Sequence, residues 1–466
     1  MSPRAGCLFS LILCLLSACA GQAPAAFRAT QPPAATAPIY TLTPTWTPAP
    51  TRTITPTWTP SPTASFTPTA TFTSSQTPSP SRTQPLYTLT PVSNAGAPPP
   101  FSGATPGLSP TDGWTCGDFP CADDISGFLR RIQVPERYRV SHYGRFPGQV
   151  QQIVLGPDGR LFATVLENGT RSGAVYALTP NGTPERYSET LISPVGLAFQ
   201  PGTETLYVSA RTTLESGGGL WRIDPGGGIP QPVITDLPCC FTIIDNQPNG
   251  MVFGPDGFLY LGIGATSDRA EPRPGRFSRF REVQPPEASI VRIDPHTGTL
   301  DVVAVGLRNP FDLTFDSRGQ LFATDSGLVS GPGDRLLSIE AGAHYGWPYY
   351  GERGCLDCPP MPPGLRPAPD LLTFPDFSLP RGIVAYLGTG FPANMFDSLF
   401  VALWNGIEGA QRIVRVDPRR VGMDDYTPEP FVTGLIRPID LVLNEDGALL
   451  VADYVYGHIW RISYEG

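Results

Sequence analysis

An all-β fold, a closed six-bladed β-propeller behind an exported stalk, is what this sequence predicts, and three observations carry the expectation. The first is repetition. Tyr176, Trp221, Val291, Leu337, Val414 and Trp460 each sit in a short apolar strand, and they recur at steps of 45, 70, 46, 77 and 46 residues. A period near 46 is that of one four-stranded blade, so six copies make six blades. The second is the plan inside each copy. Gly148 to Leu155 is an apolar strand, Gly156-Pro157-Asp158-Gly159 is a turn in which Pro presets φ and Gly accepts a positive φ, and Leu161 to Val165 alternates as a half-buried strand does. The same order returns at 195–209, 251–264, 311–325, 383–403 and 439–453. The third lies at the ends. The last copy stops at Tyr464 without chain for an outer strand, whereas Tyr138 to Tyr143 precede the first copy and can supply one. Pairing first with last segments closes the ring and removes its edges.

Ahead of the repeats the chain reads as address and spacer. Arg4 and the apolar run Leu8–Leu16 form an export signal, ending in Leu16-Ser17-Ala18-Cys19, which resembles a bacterial lipobox with Cys19 as the lipidated residue. Residues 1–19 are therefore expected to be a lipoprotein signal peptide. Residues 20–114 are rich in Pro, Thr and Ser, with Thr45-Trp46-Thr47-Pro48 repeated as Thr57-Trp58-Thr59-Pro60. Such sequence buries too little apolar surface to offset ordering and is expected to be a disordered linker, reaching on the order of 200 Å in extended form. The propeller is assigned to residues 115–466. The protein is thus expected outside the cytoplasm of a bacterium, held to the membrane only through its lipid.

Charge and cysteines narrow the function. The net charge is −9, and all 32 basic residues are arginine because the 466-residue chain has no lysine. That excludes lysine Schiff-base chemistry, and an acidic chain without a basic block is a poor nucleic-acid binder. Of nine cysteines, three lie in the signal, and six form close pairs: Cys116 with Cys121, Cys239 with Cys240, and Cys355 with Cys358. Export favours local disulfides over a zinc site, for which Cys355-Leu356-Asp357-Cys358 has no second ligand pair. The two long steps mark insertions, one between Gly264 and Ser289 and one between Tyr345 and about Arg381. The first carries Arg269, Arg273, Arg276, Arg279 and Arg281, either an anion-facing surface or a solvated charged loop.

The most specific stretch is Gly306-Leu307-Arg308-Asn309-Pro310-Phe311-Asp312-Leu313, followed in order by Asp325-Ser326-Gly327, Gly333-Asp334 and Ala343-His344-Tyr345-Gly346-Trp347-Pro348. Over roughly residues 130–464 the chain resembles the soluble glucose/sorbosone dehydrogenases, propellers that use pyrroloquinoline quinone (PQQ) and calcium. The resemblance implies that Arg308, with Asn309, and Arg437 of Arg437-Pro438-Ile439-Asp440 face the quinone. It implies calcium at the carbonyls of Gly327 and Leu328, with Asp334 and Tyr345 beside it. Where the family has its proton-abstracting histidine, this chain has Gln247, within Asp245-Asn246-Gln247-Pro248; glutamine is no base near neutral pH, and Asp245 is the nearest carboxylate. Arg335 stands where the family has a glutamate, and the family's lysine on the fifth blade is replaced near Trp404. The implied activity is PQQ- and calcium-dependent oxidation of a sugar or related alcohol. Two other classes fit the same residues: a propeller without catalysis that binds a glycan, cofactor or protein partner, and a lactonase-like metal hydrolase.

Overall fold

The computed structural model describes residues 119–466, apart from 168–169, 180–181, 242–245, 273–279 and 330. The signal with Cys19, the linker, Cys116, Asp245, Arg273, Arg276 and Arg279 lie outside the described residues.

Six four-stranded units follow one another along the chain. The first is Gln149–Leu155, Leu161–Leu166, Ser172–Leu178 and Pro184–Arg186; the second is Leu197–Phe199, Leu206–Arg211, Gly218–Ile223 and Gln231–Leu237. The two-residue strand Leu191–Ile192 pairs with both, so they run on as one hydrogen-bonded sheet. The third unit is Pro248–Phe253, Leu259–Ile263, Ser289–Ile293 and Leu300–Val305, the fourth Pro310–Phe315, Leu321–Asp325, Arg335–Ser338 and Leu372–Thr373, and the fifth Pro380–Ala385, Leu399–Leu403, Arg412–Val416 and Glu429–Val432. In the sixth, Pro438–Leu443, Leu449–Asp453 and His458–Tyr464 are completed by Tyr138–Arg145, antiparallel to the last strand from Tyr138↔Tyr464 to Arg145↔His458. The innermost strands pack each against the next, and Pro438–Leu443 returns to Gln149–Leu155, closing the ring. The second insertion falls earlier than its sequence bounds, between Ser338 and Leu372, because Leu372–Thr373 is the fourth strand of its own unit.

Packing follows from the alternation. One face of each sheet meets its neighbour: Tyr207 and Leu220 of the second unit bury against Leu261 and Val291 of the third. Side chains also clasp the next blade's innermost backbone. Thr164 Oγ1 donates to Val195 O, Ser209 Oγ to Asn249 O (2.7 Å) and Thr324 Oγ1 to Arg381 O. The turn glycines Gly159 and Gly257 hold φ of 77° and 81°, which a Cβ would oppose. Ahead of the closing strand, helix Ile125–Arg131 is N-capped by Asp124, whose carboxylate accepts from Gly127 N at 2.8 Å. Its Phe128 is fully buried beside Trp460 and His458. No helix among the described residues is long and apolar enough to cross a membrane.

Candidate functional site at the channel mouth

The residues just before the innermost strands of the fourth, fifth and sixth blades come together at one end of the ring. Asp325, at the end of the neighbouring strand, builds the fourth-blade corner: its carboxylate accepts from Asn309 N (2.7 Å) and Arg308 N (3.3 Å). Burial pushes the Asp325 pKa up, against the attraction of Arg335. Arg335 is itself fully buried, bonded to Asp325 at 2.7 Å and Asp370 at 3.0 Å, so the cation that replaces the family's glutamate is an internal tie between strand and insertion. The same Asp453-to-backbone device recurs on the sixth blade, where Asp453 accepts from Ile436 N and Arg437 N.

Arg308 is buried, and its Nε donates to Asp268 Oδ1 at 2.8 Å. Asp268, in the first insertion, also binds Arg269 and accepts from Val329 N. Asn309 accepts through Oδ1 from Asn246 N and Asn249 Nδ2, and its own Nδ2 has no acceptor among the described residues. Arg437 is 3 % exposed, yet its guanidinium meets neutral groups: Trp404 O at 3.3 Å, Asn405 Oδ1 at 3.1 Å and the Trp404 ring at 4.6 Å. Burial lowers its pKa to about 10, with Asp453 opposing. The Arg437 Nε and the Trp404 Nε1 are buried donors with no acceptor among the described residues.

Between these lies Asp334. Its oxygens accept from Gly327 N (2.8 Å) and Leu379 N (3.0 Å), pinning the Gly327 loop to the fifth blade. Burial raises its pKa to about 6, tempered first by those amides and then by Arg381 and Arg308. A Cβ on Gly327 would strike Gly333 C at 2.6 Å and Asp334 N at 2.7 Å, so the loop closes only on glycine. Leu328 N bonds Pro332 O, and the Tyr345 hydroxyl donates to Ser338 O and accepts from Glu340 N. Gln247 is fully buried: Oε1 accepts from Arg211 Nε at 2.7 Å and Nε2 donates to Ser193 O at 2.9 Å, which makes it a strut to the second blade.

Arg381 went unnoticed in the sequence. It is buried, with its guanidinium carbon 4.4 Å from the Phe311 ring and 5.8 Å from Trp404. A charged residue in an innermost strand, at the register where other blades place Asn249, Phe311 and Ile439, is the signal that could have found it. The two arginines of the first insertion among the described residues are both paired. Arg269 is paired with Asp268 and Arg281 with Glu287, beside a cavity of about 690 Å³ lined by Thr266, Phe280, Arg281 and Glu287. Cys355 is joined to Cys358, and Cys121 is also disulfide-bonded.

The mouth therefore fits a planar, hydrogen-bond-accepting polyanion such as PQQ, because it buries a guanidinium among neutral partners and leaves indole and guanidinium donors unmet. A divalent cation held by side chains fits less well. The Asp334 and Tyr345 oxygens are engaged by backbone groups, and among the described residues no three His, Cys, Asp or Glu side chains cluster. Of the oxygens expected for calcium, that leaves the carbonyls of Gly327 and Leu328.

Fold and site define a β-propeller with a cationic channel mouth, and comparison with known proteins relates its second half to a family. Residues 245–453, which include the Arg308 and Arg437 corners, match the family "Glucose / Sorbosone dehydrogenase". Over that stretch the chain is similar to the glucose/sorbosone dehydrogenases. An uncharacterized protein of Borreliella burgdorferi is 26% identical over 201 residues, 38% of this chain and 53% of that protein; the chain thus spans about half the length of that curated relative. Among solved structures it is similar in fold to the PQQ-bound aldose sugar dehydrogenase of Streptomyces coelicolor (18% identity, TM-score 0.52, 71% of this chain and 99% of that one). It is equally similar to the apo soluble aldose sugar dehydrogenase of Escherichia coli (14%, 0.54, 70% and 99%) and the holo PQQ domain of Coprinopsis cinerea pyranose dehydrogenase (15%, 0.53, 71% and 97%).

Proposed function

We propose that this protein binds PQQ at the channel mouth and oxidises a sugar or related alcohol, with calcium at the Gly327 loop. We further propose that it works at the cell surface, where Cys19 and the 20–114 linker tether the 115–466 propeller. The observation that carries the reading is Arg437, a buried cation whose hydrogen-bond partners at the mouth are neutral. Such a charge is stabilised by an anion that arrives with the ligand.

Bound PQQ would supply a two-electron acceptor for the hydride of a C–H bearing a hydroxyl. Arg308 and Arg437 would hold its carboxylates and oxygens, and Asn309 Nδ2 would add a neutral donor. Asp334 keeps the Gly327 loop at its place against the fifth blade. Gln247 takes no proton from the substrate, since an amide is not a base near neutral pH and both its polar atoms are already bonded. That observation favours a second reading, a propeller that binds the cofactor and turns over slowly or not at all.

The test is titration of the purified protein with PQQ, with and without calcium, followed by dye reduction with a panel of aldoses. A shift in quinone absorbance at micromolar cofactor and sugar-dependent dye reduction are expected. No shift at that concentration defeats the dehydrogenase reading, and a shift without dye reduction selects the second.

A further inference from the structure

The oxidation proposed above leaves the substrate's hydroxyl proton without a destination at the mouth, because Gln247 is no base and both its polar atoms are engaged. A line of buried polar side chains leads from the mouth toward the axis of the ring. Asn309 stands at the fourth-blade corner, next to Arg308. Its Oδ1 accepts from Asn246 N at 3.1 Å and from Asn249 Nδ2 at 2.7 Å, and Asn249 Nδ2 also donates to Pro310 O at 3.1 Å. One residue on, Gly250 abuts the axis: the point a Cβ would occupy there lies 2.5 Å from Asp312 Oδ1 and 2.5 Å from Gln152 Nε2. Asp312, on the fourth blade, in turn meets Asp440 of the sixth. Along this line three side chains keep an atom unsatisfied. Asn246 and Asn249 are fully buried and Asn309 is nearly so, yet Asn246 Oδ1, Asn249 Oδ1 and Asn309 Nδ2 have no partner among the described residues. Buried polar atoms in native proteins are satisfied, by ordered water where no protein group reaches them. Two acceptors and a donor around one hydrogen-bonded cluster are the lining that a short file of waters needs.

At the inner end of the line stand two acids that can take a proton. Asp312 Oδ2 accepts from Ile383 N and Asp440 Oδ2 from Ile153 N, which leaves Oδ1 of each beside the space that Gly250 and Gly382 keep open. Asp312 faces Asp440, Gln152 and the amides of Leu313 and Ile383, and Asp440 faces Asp312 and the amides of Ile153 and Leu441, so the titratable group that each carboxyl meets is the other. The charged side chains on the strands beside them are Arg381, lying against the Phe311 and Trp404 rings, Asp325, bonded to Arg335, and Asp453, bonded to Ile436 N and Arg437 N. Burial holds the Asp312 proton to about pH 7 and lifts Asp440 higher, so near neutrality the pair keeps one proton and exchanges a second.

We infer that Asp312, paired with Asp440, is the proton acceptor of the oxidation, reached from the mouth through water held by Asn309, Asn249 and Asn246. The hydride of the substrate's C–H leaves with its electron pair for the quinone, the hydroxyl proton enters the water file, the C=O bond forms, and a proton arrives on Asp312 Oδ1. That proton returns to solvent by the same path once the reduced cofactor has given its electrons to the dye. Asp312, Asp440, Asn246 and Asn249 touch no substrate; they act through water. The inference rests on the oxidation reading and adds to it the proton acceptor that Gln247 cannot be.

The experiment has two arms, both on the full chain. Without cofactor, infrared spectra in H2O and D2O follow the protonated buried carboxyls, and subtracting those of Asp312→Asn, whose amide oxygen still accepts from Ile383 N, isolates Asp312. Its C=O band is expected to fade as pH rises through about 7 and to shift within seconds of transfer to D2O, and Asn249→Leu, which removes one unsatisfied acceptor, slows that shift to minutes. With PQQ and calcium added, sugar-dependent dye reduction by the unmodified protein rises as pH passes about 7. Asp312→Asn loses about a hundredfold in kcat together with that limb of the pH profile, while its PQQ dissociation constant is unchanged. If the unmodified protein reduces dye and Asp312→Asn keeps both rate and limb, the relay is overturned and the oxidation reading stands; a carboxyl band that shifts only over hours overturns it too. If the unmodified protein does not bind PQQ at micromolar concentration, or binds it without oxidising sugar, the oxidation reading falls and the relay with it. Should Asp312→Asn melt early, Asn249→Leu decides, since the relay requires it to slow both carboxyl exchange and kcat at unchanged PQQ affinity.

Discussion

Replacing Asp440 by asparagine tests how the ring is held at its axis. Asp312 and Asp440 occupy one register of the innermost strands, two residues after Pro310 and Pro438, where the second, third and fifth blades carry Gly196, Gly250 and Gly382 and the first carries Gln152. A side chain at Gly250 or Gly382 would collide with the carboxyls of Asp312 or Asp440, so the glycines make the space in which the two acids meet. Each acid also reaches the following blade: Asp312 Oδ2 accepts from Ile383 N at 2.9 Å, and Asp440 Oδ2 from Ile153 N at 2.7 Å. Both are buried and hydrogen-bonded to one another, which requires a proton between them. Burial raises the Asp312 pKa to about 7, and burial with the neighbouring Asp312 raises Asp440 well above the usual carboxylate range.

The sign follows from proton uptake. An unfolded Asp releases its proton near pH 4, whereas folded Asp312 holds its proton to about pH 7, so its contribution is full below pH 4 and is lost as pH rises toward 7. Over that window the lost contribution is on the order of a few kcal/mol. In Asp440→Asn the amide still accepts from Ile153 N and donates to Asp312, which then ionises without a carboxylate facing it. The variant is therefore expected to be more stable than the unmodified protein at pH 8 and nearly equal at pH 4. Guanidinium unfolding at four pH values between 4 and 8.5 measures the difference, which cancels the slopes due to the other buried acids, Asp325, Asp334 and Asp453. Parallel pH profiles for the two proteins would refute the shared proton.

Three further outcomes are expected. The His142 Nε2 to His458 Nδ1 contact (3.1 Å) and the His458 Nε2 to Ala122 O contact (2.9 Å) tie closing strand, last strand and helix together, with His458 donating to the carbonyl and accepting from His142. Burial, then His142 and Arg145, lower the His458 pKa to about 3, so this contribution is present above pH 6.5 and is lost as pH falls toward 3; His458→Gln should flatten that acid limb in thermal melts. Deleting residues 138–145 removes the whole strand opposite His458–Tyr464 and exposes the outer edge of the sixth blade, so melting should fall by roughly 10 °C or more, and an unchanged melt would contradict closure. Gln247→His should raise sugar-dependent dye reduction if the proton acceptor is what the site lacks, although it also cuts the bond to Arg211, and PQQ affinity must be measured alongside.

Much of the architecture was legible because it is written at short range. Period-two alternation, the Gly-Pro-Asp-Gly turns and the missing outer strand of the last copy each describe a few adjacent residues, and the pairing of Tyr138–Arg145 with His458–Tyr464 completes them in space. The second insertion was placed too late because Leu372–Thr373 is a strand of two residues, too short to show alternation. At the site, Arg308, Asn309 and Arg437 were named from the family resemblance of the phrases that hold them, each just before the proline that opens an innermost strand. Arg381 was not, since its meaning depends on Phe311 and Trp404, and Trp404 lies 23 positions along the chain and a strand away.

By itself the sequence determined the all-β repeat, the family resemblance and the chemical inventory: no lysine, a glutamine at the family's base position, arginines before the blades. Only the tertiary structure decided what those groups are free to do. It ties Arg335 to Asp325 and Asp370, locks Gln247 between Arg211 and Ser193, sets Asp268 on Arg308, and leaves Arg437 among neutral partners. The physical reason is that charge and hydrogen-bonding capacity belong to a residue, whereas the partner that satisfies or frees them comes from another blade and is fixed only when the ring closes.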